Sequence, residues 1–244
     1  MTYSFKPVEH HIYQNTFLKD VRVAVEFSPV DTDSVKKDQL QKFFNKFKGT
    51  NIDVNDFLTK ENISVISSNR EVEFLFSLSY AEAKLSTPFY STFDSAIQYW
   101  QLLLDYMNAI GVCRMEGIMV RKYSEFSFRS NNADFKFKDV MSEVFSGELM
   151  EKIPQNTSFN GLNSFEKTWM EKDEDSGSTF NVVFGFKKAD TNTKYDHLTL
   201  VTSLEMNNGP IGLDGFIDKI KEYNAILYNA FHWCVKEEII KEMN

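Results

Sequence analysis

Valine occupies every second position from Val21 to Val25, Phe27 follows in step, and Asp20, Arg22, Ala24 and Glu26 fill the places between. A period of two gives a helix no coherent apolar stripe, but it gives a strand one buried face and one wet face. The strand expected over Phe17 to Val30 ends at Pro29. The same alternation returns in Val72, Phe74, Phe76, Leu78 and Tyr80, in Phe180, Val182, Phe184 and Phe186, and in Leu198, Leu200, Thr202, Leu204 and Met206. A weaker strand is expected at Ile63 to Ser67, before the turn Ser68-Asn69-Arg70.

Between these strands the period changes to three and four. Asp38 to Lys48 predicts a short helix, with Leu40, Phe43, Phe44 and Phe47 on one stripe and Gly49 beyond its end. After Pro88, a long helix capped by Ser91 or Thr92 carries Phe93, Ile97, Trp100, Leu104, Met107 and Ile110 on one side and stops at Gly111. A strand over Val112 to Phe128, bent at Gly117, and a mostly helical stretch from Phe135 to Met150 come next. A hairpin follows, Phe159 to Met170 with Thr179 to Lys188, and then Asp190-Thr191-Asn192-Thr193 turns the chain toward the last strand. Asn207-Asn208-Gly209-Pro210 stops that strand. One helix is expected from Leu213 to Met243, about 45 Å long at ~1.5 Å per residue, and so long enough to cross a whole sheet or to project toward a partner.

The order of elements therefore occurs twice. The chain reads as an α+β protein in which duplicated strand–helix–antiparallel strands–long helix units form one pseudo-symmetric antiparallel sheet-and-helix structure. An N-terminal lead (1–16) precedes a first half (17–111) and a second half (112–244), with no low-complexity linker between them. The 23 Phe residues suit a thick sheet–helix core.

Composition narrows the class. Of 244 residues, 42% are hydrophobic and 25% charged, which belongs to a folded chain and not a disordered one. No run reaches the ~18–20 apolar residues of a membrane helix, and the N-terminal residues lack an apolar signal core, so a cytoplasmic protein without membrane contact is expected. A net charge of -8 argues against nucleic acid as a partner. Two cysteines, Cys113 and Cys234, make neither a disulfide framework nor a zinc pattern.

No phosphate-binding glycine loop, dinucleotide turn or nucleophile elbow is present. His10 and His11 would point apart in an extended segment, and a metal there needs a third ligand that the sequence does not name. His197 follows Asp196 at a strand start, and His232 adjoins Trp233 on the last helix; a Cys–His pair drawn from Cys113 or Cys234 with His197 or His232 would have to form through space. The acidic turn Glu171 to Asp175 has the charge of a calcium loop without its ligand spacing. No catalytic residue, metal or cofactor is assigned.

Arg114, Arg121, Lys122 and Arg129 concentrate cations on one strand of an acidic protein. They pair with Glu116 and Glu125, or they form a site for an anion or an acidic partner. Arg114 and Arg121, with Asn224, Phe231 and His232 on the last helix, are the candidate ligand or partner contacts.

Two segments carry a family likeness. Phe17-Leu18-Lys19-Asp20-Val21-Arg22-Val23-Ala24-Val25-Glu26-Phe27 resembles the opening strand of a sporadically distributed family of uncharacterised bacterial proteins. Ala230-Phe231-His232-Trp233-Cys234-Val235-Lys236 resembles the turn in that family's last helix, and Arg114 to Arg121 its Arg-rich central strand. Seven residues before Phe231, where the family usually has His, this chain has Asn224, which keeps a hydrogen bond but is no base near neutral pH. The resemblance implies a bacterial intracellular protein of this architecture and supplies no activity. The function expected first is a non-catalytic protein-binding or self-assembly module, motivated by the long last helix. The alternative is a binder of a small apolar ligand in a cavity between the curved sheet and that helix.

Overall fold

The computed structural model describes residues 3, 5–13, 16–47, 49, 52–60, 62–67, 71–87, 90–129, 137–159, 162–189, 195–206 and 210–243. The first half runs β1 (Leu18–Glu26), a 3-10 turn, α1 (Lys37–Phe44), α2 (Val54–Lys60), β2 (Asn62–Ile66), β3 (Val72–Ser77), β4 (Tyr80–Ser86) and α3 (Phe93–Ile110). The second half opens with β5 (Arg114–Met115), β6 (Gly117–Arg129), α4 (Phe137–Val144) and α5 (Gly147–Met150). It continues through β7 (Ser164–Asp173), β8 (Ser178–Lys187), β9 (Tyr195–Met206) and β10 (Ile211–Gly212) to α6 (Phe216–Cys234) and α7 (Glu237–Lys241).

One eight-stranded sheet in the order β2-β3-β4-β1-β6-β9-β8-β7 runs through both halves, and every neighbouring pair in it is antiparallel. The protein is α+β. From the central β1–β6 pair outward, each half places the last strand of its three-stranded meander innermost and the first at the edge. A small separate pair, β5 with β10, sits apart from this sheet.

Local chemistry explains both ends of α3. Thr92 Oγ1 accepts from the Ser95 amide and Ser95 Oγ from the Thr92 amide, both at 3.1 Å, a reciprocal cap that starts α3. Gly111 ends that helix at φ 83°, a conformation that costs a side-chain-bearing residue energy. Phe43, Phe44, Phe76 and Tyr106 meet edge to face or tilted between α1, β3 and α3, and the Tyr106 hydroxyl donates to the Ser77 carbonyl at 2.7 Å.

Several expected elements divide. The alternation from Val72 to Tyr80 is not one strand: the chain reverses at Leu78–Ser79, and Ala81, Ala83 and Leu85 continue the buried face on β4. The stretch over 112–128 splits into β5 and β6 at Glu116, and α2 forms over Val54–Lys60, where the sequence pattern predicts no element. The helical stretch expected up to Met150 breaks at Phe145–Ser146. The single helix expected from Leu213 to Met243 breaks at Val235, which is extended (φ -112°, ψ 140°). These two breaks meet: Phe145 and Val235 form a β-bridge, with Ser146 N to Cys234 O at 2.8 Å and Lys236 N to Val144 O at 2.9 Å. The unpaired backbone groups of one break satisfy those of the other. Hence α6 does not project; it buries Phe216, Ile220, Tyr223, Leu227, Ala230 and Cys234. The turns at 68–70, 190–193 and 207–209, Pro88 and Phe135 lie outside the described residues. Among the described residues, no helix is long and apolar enough to cross a membrane.

Candidate functional site: a cavity over Lys122

Side chains directly paired across an antiparallel sheet share a face. The pairings Val72–Leu85, Leu85–Val21, Val21–Lys122, Lys122–Thr202, Thr202–Val182 and Val182–Trp169 therefore define one row across seven strands on the buried face. Five of its seven members are hydrophobic. At its centre, on β6, stands a lysine. Along β6 itself the same face reads Ile118, Val120, Lys122, Ser124 and Phe126, so two polar residues interrupt an apolar series where the sheet is widest.

That interruption is the floor of a cavity of about 280 Å³. Ser124, Leu200 and Thr202 complete the floor, while Tyr90, Thr92 and Phe93 at the entrance to α3 form one wall. Tyr228 and Phe231 of α6 and Met243 after α7 form another. The roof is the N-terminal segment, whose His10, His11, Ile12 and Tyr13 cross above. Among the described lining residues Lys122 is the only ammonium or guanidinium, and no carboxylate is present.

The roof is tied down along its length. Phe5 packs on Phe180 and Trp233, with centroids 4.9 and 5.5 Å away, and the Tyr3 hydroxyl donates to the Ser178 carbonyl at 3.0 Å. The Val8 amide donates to Asn229 Oδ1 and the His11 amide to the Tyr228 hydroxyl, both at 3.0 Å. His10 stacks on Tyr228 at 4.7 Å, and the Tyr13 hydroxyl meets His232 Nε2 at 2.9 Å. Burial, then the neighbouring His11, hold the His232 imidazole below its ordinary range, so it favours the neutral form. Burial first, and the Tyr228 hydroxyl second, push the Tyr13 phenol up.

Lys122 makes no ion pair or hydrogen bond with any described residue; its ammonium lies 5.8 Å from the centre of the Tyr90 ring. Burial alone lowers its pKa from 10.5 to about 7. Tyr90 is buried beside it, and its hydroxyl donates to Asn224 Oδ1 at 2.5 Å. The Ser124 and Thr202 hydroxyls are buried on the cavity floor and make no side-chain hydrogen bond with a described residue. The arrangement offers a ligand an apolar chamber, one titrating amine and two hydroxyls.

The residues singled out in the sequence separate into two groups. Asn224, Phe231 and His232 gather around this chamber: Phe231 lines it, Asn224 holds Tyr90, and His232 holds Tyr13 of the roof. Arg114 is exposed on β5. Arg121 lies on the other face of β6, directly opposite Arg22 of β1; nearby, burial raises the Asp20 pKa against the opposing charges of Lys84 and then Arg121. On that face Arg22 pairs with Glu82 at 3.2 Å and Lys84 with Glu73 at 3.5 Å, but neither Arg114 nor Arg121 pairs with Glu116 or Glu125, and the Arg121 Nε is buried without a hydrogen-bond partner among the described residues. His197 belongs to that face too, 3.3 Å from Glu125. Cys234 is buried and Cys113 exposed, and neither bonds a histidine among the described residues. The acidic turn is a hairpin tip closed by Gly177 at φ 64°, where Asp173 accepts from Ser176 Oγ at 2.7 Å. No group of three metal-ligating side chains occurs among the described residues.

Lys122 is the residue of this candidate site that cation counting misreads. Its neighbours Val120 and Phe126 are apolar and in step with it, so strict alternation assigns it inward while Arg121 points out. Compared with known families and curated proteins, the chain matches no family model and no curated sequence.

Proposed function

We propose that this protein binds a small, largely apolar molecule in the chamber between the sheet and α6, with the ligand's single polar end on Lys122. The observation that carries this reading is the unpaired amine at the centre of a buried apolar row. Lys122 is half-buried, and its ammonium sits among apolar side chains with no ionic partner among the described residues, an arrangement that a folded chain sustains where a ligand or a reaction uses the group. A volume of about 280 Å³ lies at the lower end of ligand pockets, ~300–1,000 Å³, which points to a ligand no larger than one ring with a short chain. Protein assembly takes second place, because the helix that suggested it folds back at Val235 and buries its stripe.

The test compares native and denatured masses of the freshly purified chain, with a thermal-shift series of single-ring and medium-chain acids, alcohols and aldehydes. A bound mass that leaves on denaturation, or a ligand-dependent rise in Tm abolished by Lys122→Met, is the expected result. A folded monomer that none of these compounds stabilises would overturn it. A multiple of the chain mass would favour assembly instead.

A further inference from the structure

We propose that the ligand class is an aldehyde or ketone and that the Lys122 amine holds it as an imine. This inference rests on the binding reading above and adds a covalent step to it.

Three features of the chamber support the step. First, the amine is unpaired. A lysine meant as a fixed cation would be matched by a carboxylate or replaced by arginine, whose guanidinium stays charged and forms paired hydrogen bonds. Here the strand supplies an arginine one position away, Arg121, and turns it to the opposite face. Lysine is the cation that burial converts into a nucleophile, and burial holds Lys122 near neutrality. The charged groups of the surroundings do not reverse this. β1 presents Val21, β9 presents Thr202, α6 presents Tyr228 and the roof presents His10, His11 and Tyr13, none of them a carboxylate.

Second, the amine has hydroxyls beside it. Thr202 stands directly across from Lys122 and Ser124 two residues along the same face. A carbonyl oxygen that gains charge as nitrogen attacks its carbon needs donors at that spot, and these hydroxyls have no other side-chain partner among the described residues. Third, the chamber is partly covered by His10 to Tyr13 and carries Leu200, Phe93, Phe231 and Met243 on its walls. Imine formation releases water, and partial cover limits the access of bulk water for the reverse hydrolysis.

The step balances without a further reagent. The neutral amine's lone pair forms a C–N bond to the carbonyl carbon, and the nitrogen proton passes to the former carbonyl oxygen, giving a carbinolamine. Loss of that oxygen as water, with the second nitrogen proton, leaves the C=N bond. Nothing is oxidised or reduced.

The experiment treats the full chain with hydrocinnamaldehyde and sodium cyanoborohydride near pH 7, then measures intact mass and maps the modified lysine. The expected product is a single adduct at Lys122, heavier by the mass of the aldehyde less one oxygen. At that pH the neutral fraction of Lys122 exceeds that of an ordinary surface lysine by about a thousandfold. The rate at Lys122 should rise through about pH 7 and then level, whereas a surface lysine continues to rise toward pH 10. In parallel, hydrocinnamate and the corresponding alcohol are titrated calorimetrically. Adducts spread over surface lysines, with hydrocinnamate or the alcohol still bound in the chamber, would overturn the imine and leave the binding reading intact. Absence of both adduct and binding would overturn the two together. Because the map is made on the unaltered chain, the test does not depend on whether a Lys122 variant folds.

Discussion

The Tyr90 hydroxyl donates to Asn224 Oδ1 at 2.5 Å, joining the segment before α3 to the middle of α6 inside the core. Both side chains are buried, so each satisfies a polar group that water cannot reach. Replacing Asn224 by Leu strands the hydroxyl and is expected to cost about 1–3 kcal/mol in urea unfolding. Tyr90→Phe in the same background should recover part of the loss. A double variant as unstable as the sum of the two singles would show that the bond contributes nothing.

Lys122→Met should stabilise the empty protein, and the gain should depend on pH. The folded pKa of about 7 lies below the unfolded value near 10.5, so between those values the unfolded chain binds more protons. Stability of the parent therefore rises with pH across that window, by at most about 1.4 kcal/mol per pH unit. The penalty on Lys122 is complete below about pH 7 and gone above about pH 10.5. Urea curves for parent and variant should converge as pH rises; parallel curves would place the amine in water.

Acid should loosen the roof. The His232 imidazole is held below its ordinary 6.5 by burial and by His11, so the docked segment favours the neutral ring, and its stability falls as pH drops below about 6.5 toward the lowered value. Amide exchange at residues 5–13, compared between about pH 7.5 and pH 5.5 after correction for intrinsic rates, should accelerate in acid. His232→Gln should flatten that dependence; an unchanged dependence would show that His232 does not carry it.

Gly185 has no room for a side chain. A Cβ there would overlap the Phe165 carbonyl on β7, in the edge pair of the sheet. Gly185→Ala is expected to cost about 1–3 kcal/mol, with loss of β7–β8 protection in amide exchange. A neutral substitution would mean that β7 shifts freely.

Where burial wrote a simple period, the sequence was readable. β1, β8, β9 and α3 follow from alternation or from caps, and Thr92 and Gly111 mark α3 with their own chemistry. The β3–β4 reversal was hidden because serine is the only usual turn residue at Leu78-Ser79, with no Gly, Pro, Asn or Asp, and the apolar period passes through it unbroken. The break at Val235 was hidden for a different reason. It is stabilised by Phe145 and Ser146, some ninety residues earlier, and no local window contains both partners. The chamber lay between these cases. Phe231 and His232 drew attention through their helix, but Lys122 was read with Arg114 and Arg121 as one patch of charge, although the pleat sends adjacent residues to opposite faces.

The roof's anchors lie 217 to 221 residues apart in the chain, Val8 with Asn229 and His11 with Tyr228. During synthesis at ~5–20 residues per second, the roof segment waits on the order of ten to forty seconds for the helix that will hold it. Until α6 arrives, Lys122 lies open to bulk water, where its amine keeps its charge. The chamber is therefore complete only once α6 is in place, so a chain that stops before α6 carries a water-exposed lysine at that position.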